Sequence, residues 1–146
     1  NYLKDFERPL NDRGTTETKI MIDKLIEKDF IPDYIISSGA KRALSTTQII
    51  AENIGYIKEK IEIDNMIYNS SIEDILNLIK NVPDDYNKVL ITGHNPTFHF
   101  LSQELSSEKI IKFPTCSMFC ISFNNEKWIN INRGEKVFMI FPELYK

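Results

Sequence analysis

The sequence predicts an α/β domain built on a largely parallel sheet. Segments with helical periodicity alternate with short apolar runs along the chain, and polar residues cluster where two of those runs end. Strands that alternate with helices in this way form parallel sheets that are covered by helices on both faces. We therefore expect a single three-layer domain over residues 1–146, a length that can bury a core without disulfides or metals.

The first half of the chain supplies two helices and a strand. A helix over 11–30 carries Ile20, Ile22, Leu25 and Ile26 on one stripe, and the run 32–38 is a short buried strand. The next helix, over 42–55, ends at a glycine, Gly55, the residue that most often terminates helices.

The second half repeats the alternation. Ser71 is a candidate N-cap for a helix whose apolar face holds Ile72, Ile75, Leu76 and Ile79. The remaining expected elements are a short strand within 61–68, a buried strand over 88–93, a helix over 97–108, and β-rich segments at 119–125 and 137–141.

Composition narrows the possible functions. A net charge of −3 and a pI near 5.4 argue against a nucleic-acid or membrane-surface binder. No Gly-rich nucleotide loop occurs. Cys116 and Cys120 would share one face of a strand, too far apart to bond, and they form no metal motif. We interpret them as small buried hydrophobic residues, and we expect a reducing, cytoplasmic compartment.

The residues that could take part in catalysis or ligand binding follow two of the predicted strands. Ser37, Ser38 and Arg42 follow one strand, and His94 follows Gly93 at the end of another. Catalytic groups of α/β sheets gather at such junctions, and a helix N-terminus with an arginine suits phosphate. Position alone leaves other interpretations open: His94 could cap a helix or bond a buried carbonyl, and Arg42 could be a surface arginine on the first helical turn.

The blocks "DFERPLNDRG", "PDYIISSGAKRALSTTQIIAENIG", "MIYNSS" and "VLITGHNP" resemble, in this order, the histidine phosphatase superfamily. The chain is most similar to its small SixA-like branch, the phosphohistidine phosphatases, down to the closing segment "KVFMIFPELY". The resemblance implies a phosphoglycerate-mutase-like fold. It also implies a metal-independent, cofactor-free phosphatase in which a histidine attacks the phosphoryl group and is itself phosphorylated before water releases inorganic phosphate.

The resemblance also assigns roles to three residues. Arg42 is one of the arginines around the phosphoryl oxygens, and His94 is the second, non-nucleophilic histidine that stabilises the transferred charge. Arg8 matches a position near the mouth of the pocket and is expected to support phosphate binding. A loop arginine paired with Asp5 or Asp12 is an equally good interpretation of Arg8.

The resemblance places the attacking histidine in an Arg-His pair upstream of "RPLNDRG", outside this sequence. The other histidine, His99, lies among apolar helical residues and is expected to be structural. In the family that this chain resembles, the strand before the Arg-His pair is central in the sheet. Its loss would leave backbone groups of the neighbouring strands unpaired. We therefore expect the full protein to carry a further first strand that ends in Arg-His, in roughly 15–20 additional residues that include its loop.

Substrate preference is suggested by Asn69. Many members of the superfamily have a carboxylate there as general acid, and an amide cannot donate a proton usefully. Imidazole needs little such help as a leaving group, so Asn69 favours phosphohistidine over phosphate esters, although Glu73 or Asp74 could supply an acid.

Three functions follow from these arguments. The first is a phosphatase acting on phosphohistidine in a partner protein, such as a histidine phosphotransfer or carrier protein. The second is a phosphomonoesterase for a small metabolite. The third, if the first strand is truly missing, is a non-catalytic phosphate-binding module. No nucleic-acid or membrane partner is expected.

Overall fold

The structure, a computed structural model, describes residues 2–146, with side chains from Lys4 onward. It confirms the α/β class. The helices are α1 (Tyr2–Phe6), α2 (Asp12–Glu27), α3 (Lys41–Ile54), α4 (Ile72–Lys80) and α5 (Thr97–Ser106). The strands are β1 (Tyr34–Ser37), β2 (Glu62–Ile63), β3 (Val89–Thr92), β4 (Met118–Ser122) and β5 (Glu135–Ile140). Short 3₁₀ turns occupy Lys58–Lys60, Asn65–Ile67, Trp128–Asn130 and Pro142–Tyr145.

The chain divides into two compact units, Asn1–Asn69 with Asn87–His94, and Ser70–Tyr86 with Asn95–Lys146. The first unit holds a parallel three-stranded sheet of order β2-β1-β3, and the second holds the antiparallel pair β4-β5. The predicted parallel sheet is therefore present, and the two closing β segments pair with each other. The prediction of a single domain stays a prediction.

The core of the first unit forms around β1. Ile35 and Ile36 are almost completely buried, and α2 packs against α3. On α2 the buried apolar residues are Met21, Ile22 and Leu25, whereas Ile26 is 43% exposed. The predicted stripe was therefore wrong at Ile26, because the buried face runs through Met21, Ile22 and Leu25 and leaves Ile26 outside it.

Two predicted helix ends are confirmed by their local geometry. Gly55 ends α3 in the left-handed conformation with φ of 80°, which costs glycine nothing because it has no Cβ. Ser71 caps α4 in a reciprocal arrangement with Asp74, and Ile75 and Ile79 are buried on the face that the sequence indicated.

The interpretation of the cysteines needs correction. Cys120 lies on β4, but Cys116 precedes the strand with a left-handed φ of 64°, so the two do not alternate along one strand. The two cysteines form no disulfide with each other, and both are only half-buried. Burial nevertheless raises the pKa of the Cys120 thiol. In the part of the chain that the structure describes, no helix is both long and apolar enough to cross a membrane.

Candidate active site

The site begins where β1 and β3 end side by side. The Asp33 carboxylate accepts hydrogen bonds from the backbone N–H groups of Asn87 and Lys88, at 3.0 and 2.9 Å, which aligns the starts of the two strands. Tyr34 then pairs with Val89, and the pairing continues to the strand ends. This register brings the residues that follow β1 and β3, Ser38 and His94, to the same edge of the sheet.

Ser38 and His94 are joined by a hydrogen bond. The Ser38 Oγ lies 2.8 Å from the His94 Nε2, and the backbone N–H of Ser38 donates to the Thr92 carbonyl at 3.0 Å. The Ser38 hydroxyl also accepts a hydrogen bond from the backbone N–H of Ala40 at 3.1 Å. His94 therefore does not cap a helix: α5 begins later, with Pro96 at its N-cap.

A close backbone approach shapes the loop between β1 and α3. A Cβ on Gly39 would lie 1.7 Å from the Asn65 Oδ1 and 3.3 Å from the Phe6 ring. Only a residue without a side chain can sit there while Asn65 keeps its place. The lack of a side chain at Gly39 thus allows the chain just before α3 to lie against the turn that leads to Tyr68.

Helix α3 brings Arg42 to the site on its first turn. Its N-cap, Ala40, has no side chain that could bond the first N–H groups, and its first turn contains no acidic residue. Arg42 is held from outside the helix by Asp5: its Nη1 donates to the Asp5 carbonyl at 2.9 Å and its Nη2 to the Asp5 Oδ2 at 3.3 Å. With 27% of its side chain exposed, Arg42 is not a surface arginine.

Asp5 is the centre of a cluster of donors. Its Oδ2 also accepts a short hydrogen bond from the Tyr68 hydroxyl, and its Oδ1 pairs with the Arg8 Nη2 at 3.2 Å. The Tyr68 hydrogen bond, followed by the charges of Arg42 and Arg8, lowers the pKa of the Asp5 carboxyl, and partial desolvation opposes this. Asp5 is therefore ionised at neutral pH.

Tyr68 connects this cluster to His94. Its ring meets the His94 ring edge to face, with centroids 5.2 Å apart and planes at 82°. Phe6 meets Tyr68 in the same manner at 5.2 Å. Such contacts orient aromatic rings beyond simple burial. Asp5 thus positions Arg42 through its own hydrogen bonds, and it acts on the surroundings of His94 through Tyr68.

The electrostatics of the site keep His94 neutral. Burial of the imidazole, together with the nearby Arg42 charge, lowers the pKa of His94 to about 4, and the Asp5 carboxylate opposes the shift. Two guanidinium groups, one carboxylate and a neutral imidazole leave a surplus positive charge. A site of this kind favours an anion beside an uncapped helix N-terminus. Among the described side chains, no group of three His, Cys, Asp or Glu could hold a metal ion.

The structure brings together all three residues that the sequence singled out, because Arg42 and Arg8 share Asp5 and Arg42 lies close enough to His94 to perturb it. Arg8 pairs with Asp5, one of the two carboxylates, Asp5 and Asp12, that the sequence offered as its partner. Its side chain is 63% exposed, so it lies at the rim.

Sequence reasoning missed the roles of Asp5 and Tyr68. Asp5 was considered only as a partner for Arg8, and Tyr68 only as a landmark before Asn69. The three-residue spacing of Asp5 and Arg8 was the available signal for their ion pair. The contact of Asp5 with Tyr68 spans 63 positions and had no local signal.

The remaining candidates have structural partners. The His99 Nε2 bonds the Ile110 carbonyl at 2.7 Å, and its ring stacks against Phe113 at 5.7 Å. Asp74 accepts a hydrogen bond from the Ser71 backbone N–H at 3.0 Å, which commits this carboxylate to the α4 cap. Asn69 is exposed in the left-handed conformation, φ 60°, which asparagine tolerates better than most residues.

The fold and the site define an α/β protein with a cluster of arginines and a neutral histidine at the carboxyl ends of parallel strands. No family model and no curated protein matches the sequence. Solved structures do match. The protein histidine phosphatase SixA complexed with tungstate has a TM-score of 0.83 at 19% identity, over 97% of this chain and 89% of that chain.

Two further neighbours carry the same name. A candidate phosphohistidine phosphatase SixA from Nakamurella multipartitia has a TM-score of 0.83 at 21% identity, over 94% of this chain and 87% of that one. Its counterpart from Agrobacterium tumefaciens has a TM-score of 0.80 at 26% identity, over 94% and 86%. The chain therefore has the fold of the SixA phosphohistidine phosphatases, and the resemblance seen in the sequence is confirmed at this level.

Proposed function

We propose that this chain belongs to a phosphatase that hydrolyses phosphohistidine on a partner protein through a covalent phosphohistidine intermediate. The convergence of Arg42 and His94 at the shared ends of β1 and β3 carries this proposal. A guanidinium fork, a neutral imidazole and an uncapped helix N-terminus together suit the oxygens of a transferring phosphoryl group. The structural neighbours, all described as SixA phosphatases, support the same activity.

The chemical steps need an attacking histidine. Within the described residues β3 lies at the edge of its sheet, and its apolar side chains are only half-buried. Such an edge is normally covered or paired. We assign the attacking histidine to a further strand that pairs there, preceded by an arginine. Its ring nitrogen forms a bond to phosphorus as the P–N bond to the substrate histidine breaks; water then attacks the phosphoenzyme and releases phosphate.

The roles of the three site residues follow from their positions. Arg42 binds equatorial phosphoryl oxygens, with Asp5 holding one edge of its guanidinium. His94 donates a hydrogen bond to the phosphoryl group, and Arg8 at the rim contributes charge to substrate binding. None of these steps requires a metal ion or another cofactor.

The residues of the "MIYNSS" segment and the α4 cap favour a phosphoramidate substrate over an ester. Asn69 cannot protonate a leaving alkoxide, and Asp74 is engaged in a helix cap. Glu73, exposed on the first turn of α4, is the remaining acid of this segment. Departing imidazole is stable without such protonation. A protein that carries phosphohistidine, such as a phosphotransfer or carrier protein of the cytoplasm, is therefore the proposed partner.

The test compares turnover of a phosphohistidine peptide with that of p-nitrophenyl phosphate by the full-length protein. We expect a clear preference for the peptide, and an acid-labile phosphoenzyme after rapid quenching. Preference for the ester would favour the metabolite phosphatase. Binding of inorganic phosphate without turnover of either substrate would favour a binding module.

The two histidines within this chain provide a matched pair of variants. His94→Ala should lower kcat by about 10²–10³, as expected for loss of one group that stabilises the transferring charge. His99→Gln keeps a donor for the Ile110 carbonyl and should retain activity. Equal losses in both variants would contradict the assignment.

A further inference from the structure

We infer that Ser38 is a positioning residue that fixes His94 in the tautomer with its proton on Nδ1, opposite to the tautomer of His99. The inference begins with the Ser38 hydroxyl, which is completely buried. Its oxygen accepts a hydrogen bond from the Ala40 backbone N–H at 3.1 Å and lies 2.8 Å from the His94 Nε2. A serine hydroxyl has one hydrogen to donate, and in a buried position that hydrogen needs an acceptor.

The hydrogen-bond partners of Ser38 determine the direction of its bond to His94. Among the described residues, the Ser38 Oγ has two hydrogen-bond partners, the Ala40 N–H and the His94 Nε2, and of these only the Nε2 can accept a hydrogen. If Nε2 carried the proton, two N–H groups would point at the Ser38 oxygen, and the buried O–H would lose its partner. The satisfied arrangement has the Ser38 O–H donating to an unprotonated Nε2. A neutral imidazole then carries its proton on Nδ1.

His99 shows the opposite arrangement. Its Nε2 lies 2.7 Å from the carbonyl oxygen of Ile110, and a carbonyl only accepts. The Nε2 of His99 therefore carries a proton. The two histidines of the chain thus differ in the nitrogen that holds the proton, because one ring faces a hydroxyl with a hydrogen to donate and the other a backbone acceptor.

The arrangement has a consequence for the site, which rests on the proposed function. With Nε2 engaged as an acceptor, the hydrogen bond that His94 donates to a phosphoryl oxygen comes from Nδ1. Ser38 then acts through His94 without touching the reacting atoms. It sets the ring nitrogen that faces the substrate as a donor, in the way that partners of metal-bound or catalytic histidines fix their tautomers.

The test is long-range ¹H–¹⁵N correlation NMR of the uniformly ¹⁵N-labelled, ligand-free protein at pH 7. Single replacements, His94→Gln and His99→Gln, assign the two imidazole patterns in this chain. We expect a protonated Nδ1 with an unprotonated Nε2 for His94, and a protonated Nε2 for His99. A protonated Nε2 on neutral His94, or a doubly protonated ring, would overturn the inference regardless of any variant.

Two serine variants locate the cause. In Ser38→Ala the ratio of the Nδ1–H to the Nε2–H tautomer of His94 should fall by about 5- to 150-fold, the range expected for losing a buried hydrogen bond. Ser37→Ala removes an equally buried hydroxyl, bonded at 2.9 Å to Thr47 and at 2.9 Å to the Ser38 backbone carbonyl. It should leave the His94 pattern unchanged, because neither bond involves the Ser38 hydroxyl. An unchanged ratio in folded Ser38→Ala protein would also overturn the inference.

Activity provides a separate readout. Ser38→Ala should lower kcat about 10-fold with little change in KM, because the misplaced proton matters to charge stabilisation more than to binding. If the NMR pattern is as expected while the wild-type protein hydrolyses no phosphorylated substrate, the proposed function fails and the tautomer assignment stands. If turnover is present and the pattern is reversed, the assignment fails alone.

Discussion

Helices α3 and α4 begin in opposite ways. At α4 the Ser71 hydroxyl accepts a hydrogen bond from the Asp74 N–H at 3.1 Å, and the Asp74 carboxylate accepts one from the Ser71 N–H. At α3 the N-cap is Ala40, which has no capping side chain, and the first turn carries the cations Lys41 and Arg42 in place of acids.

The difference separates a helix start that its own residues cap from one that is left open to an anion. The N-terminus of a helix carries a partial positive charge and unpaired N–H groups, which a side-chain cap satisfies for about 1 kcal/mol of stability. Helix α4 obtains this stabilisation from its own residues, Ser71 and Asp74. Helix α3 forgoes it and adds positive charge. Asp5 pairs with Arg42, and the positive charge that remains favours the binding of a further anion.

The largest expected effect comes from removing the cation of α3. Arg42→Ala should lower kcat/KM for a phosphohistidine peptide by about 10²–10³, because a bidentate partner of the phosphoryl oxygens is lost. Arg42→Lys should recover only part of this loss, since an ammonium cannot form the same fork. The measurement is steady-state turnover of the full-length protein.

Arg133 offers a control for that change. It is an exposed arginine whose Nη1 bonds the Ser107 hydroxyl. Arg133→Ala removes the same charge from the chain and should leave kcat/KM unchanged. A loss of similar size in both variants would show that net charge, not the position of Arg42, determines the rate.

A smaller effect is expected from pH. His94 has a folded pKa of about 4, below its unfolded value of about 6.5, so the unfolded chain binds more protons between these values. Stability from this group is therefore fully present above pH 6.5 and is lost as pH falls towards 4. After allowance for solvent screening, we expect a loss of about 1–2 kcal/mol. Urea unfolding at pH 7.0 and 4.5 measures it, with His94→Gln as the comparison.

In His94→Gln the free energy of unfolding should change less between the two pH values than it does in the wild type. The Asp5 carboxyl, with its lowered pKa, remains in both proteins and loses its contribution at lower pH still. Identical pH slopes in the two proteins would mean that His94 is not desolvated as the structure indicates.

The cap of α4 should affect stability alone. Ser71→Ala is expected to lower the free energy of unfolding by about 1 kcal/mol, because Asp74 loses the partner for its N–H group. Turnover at a temperature well below the melting transition should stay at the wild-type value. Reduced kcat in fully folded Ser71→Ala protein would contradict a purely structural role for this helix start.

The smallest effect is expected from changing the first turn of α3 towards that of α4. Lys41 is exposed, so Lys41→Glu places an acid beside the α3 N-terminus without disturbing the core. Stability should rise by about 0.3–1 kcal/mol through the helix dipole, and inorganic phosphate should bind about 3- to 10-fold more weakly. Thermal unfolding measures the stability, and calorimetric titration measures the affinity for phosphate. If stability and affinity both rose, or both fell, the comparison of the two helix starts would be refuted.

Local features of the fold were predictable from the sequence. Gly55 ends a helix and Ser71 begins one because the responsible chemistry lies within a few residues of each. The strand ends that carry Ser38 and His94 were located because apolar runs stop there. Ile26 was misplaced because the helical pattern cannot tell which edge of an apolar stripe the rest of the chain covers.

The site was predictable only in part. The proximity of Arg42 and His94 was predictable because each follows a strand, and the ends of neighbouring parallel strands meet at one edge of the sheet. The Asp5 carboxylate that holds Arg42, and the Tyr68 ring that meets His94, lie far apart in the chain and share no sequence pattern. Their roles depend on packing in three dimensions, which no local periodicity records.

The adjacent serines at the end of β1 bond to two different parts of the protein. Ser37 is tied to Thr47 in the core, at 2.9 Å, and Ser38 is tied to His94 in the site, at 2.8 Å. A single peptide bond therefore joins a residue that holds helix α3 to one that orients an imidazole. Substitutions such as Thr47→Val, chosen to improve packing, would remove the partner of Ser37 and leave the Ser38 hydroxyl in place. Two neighbouring positions of the chain can therefore be varied separately, one for stability and one for the proposed activity.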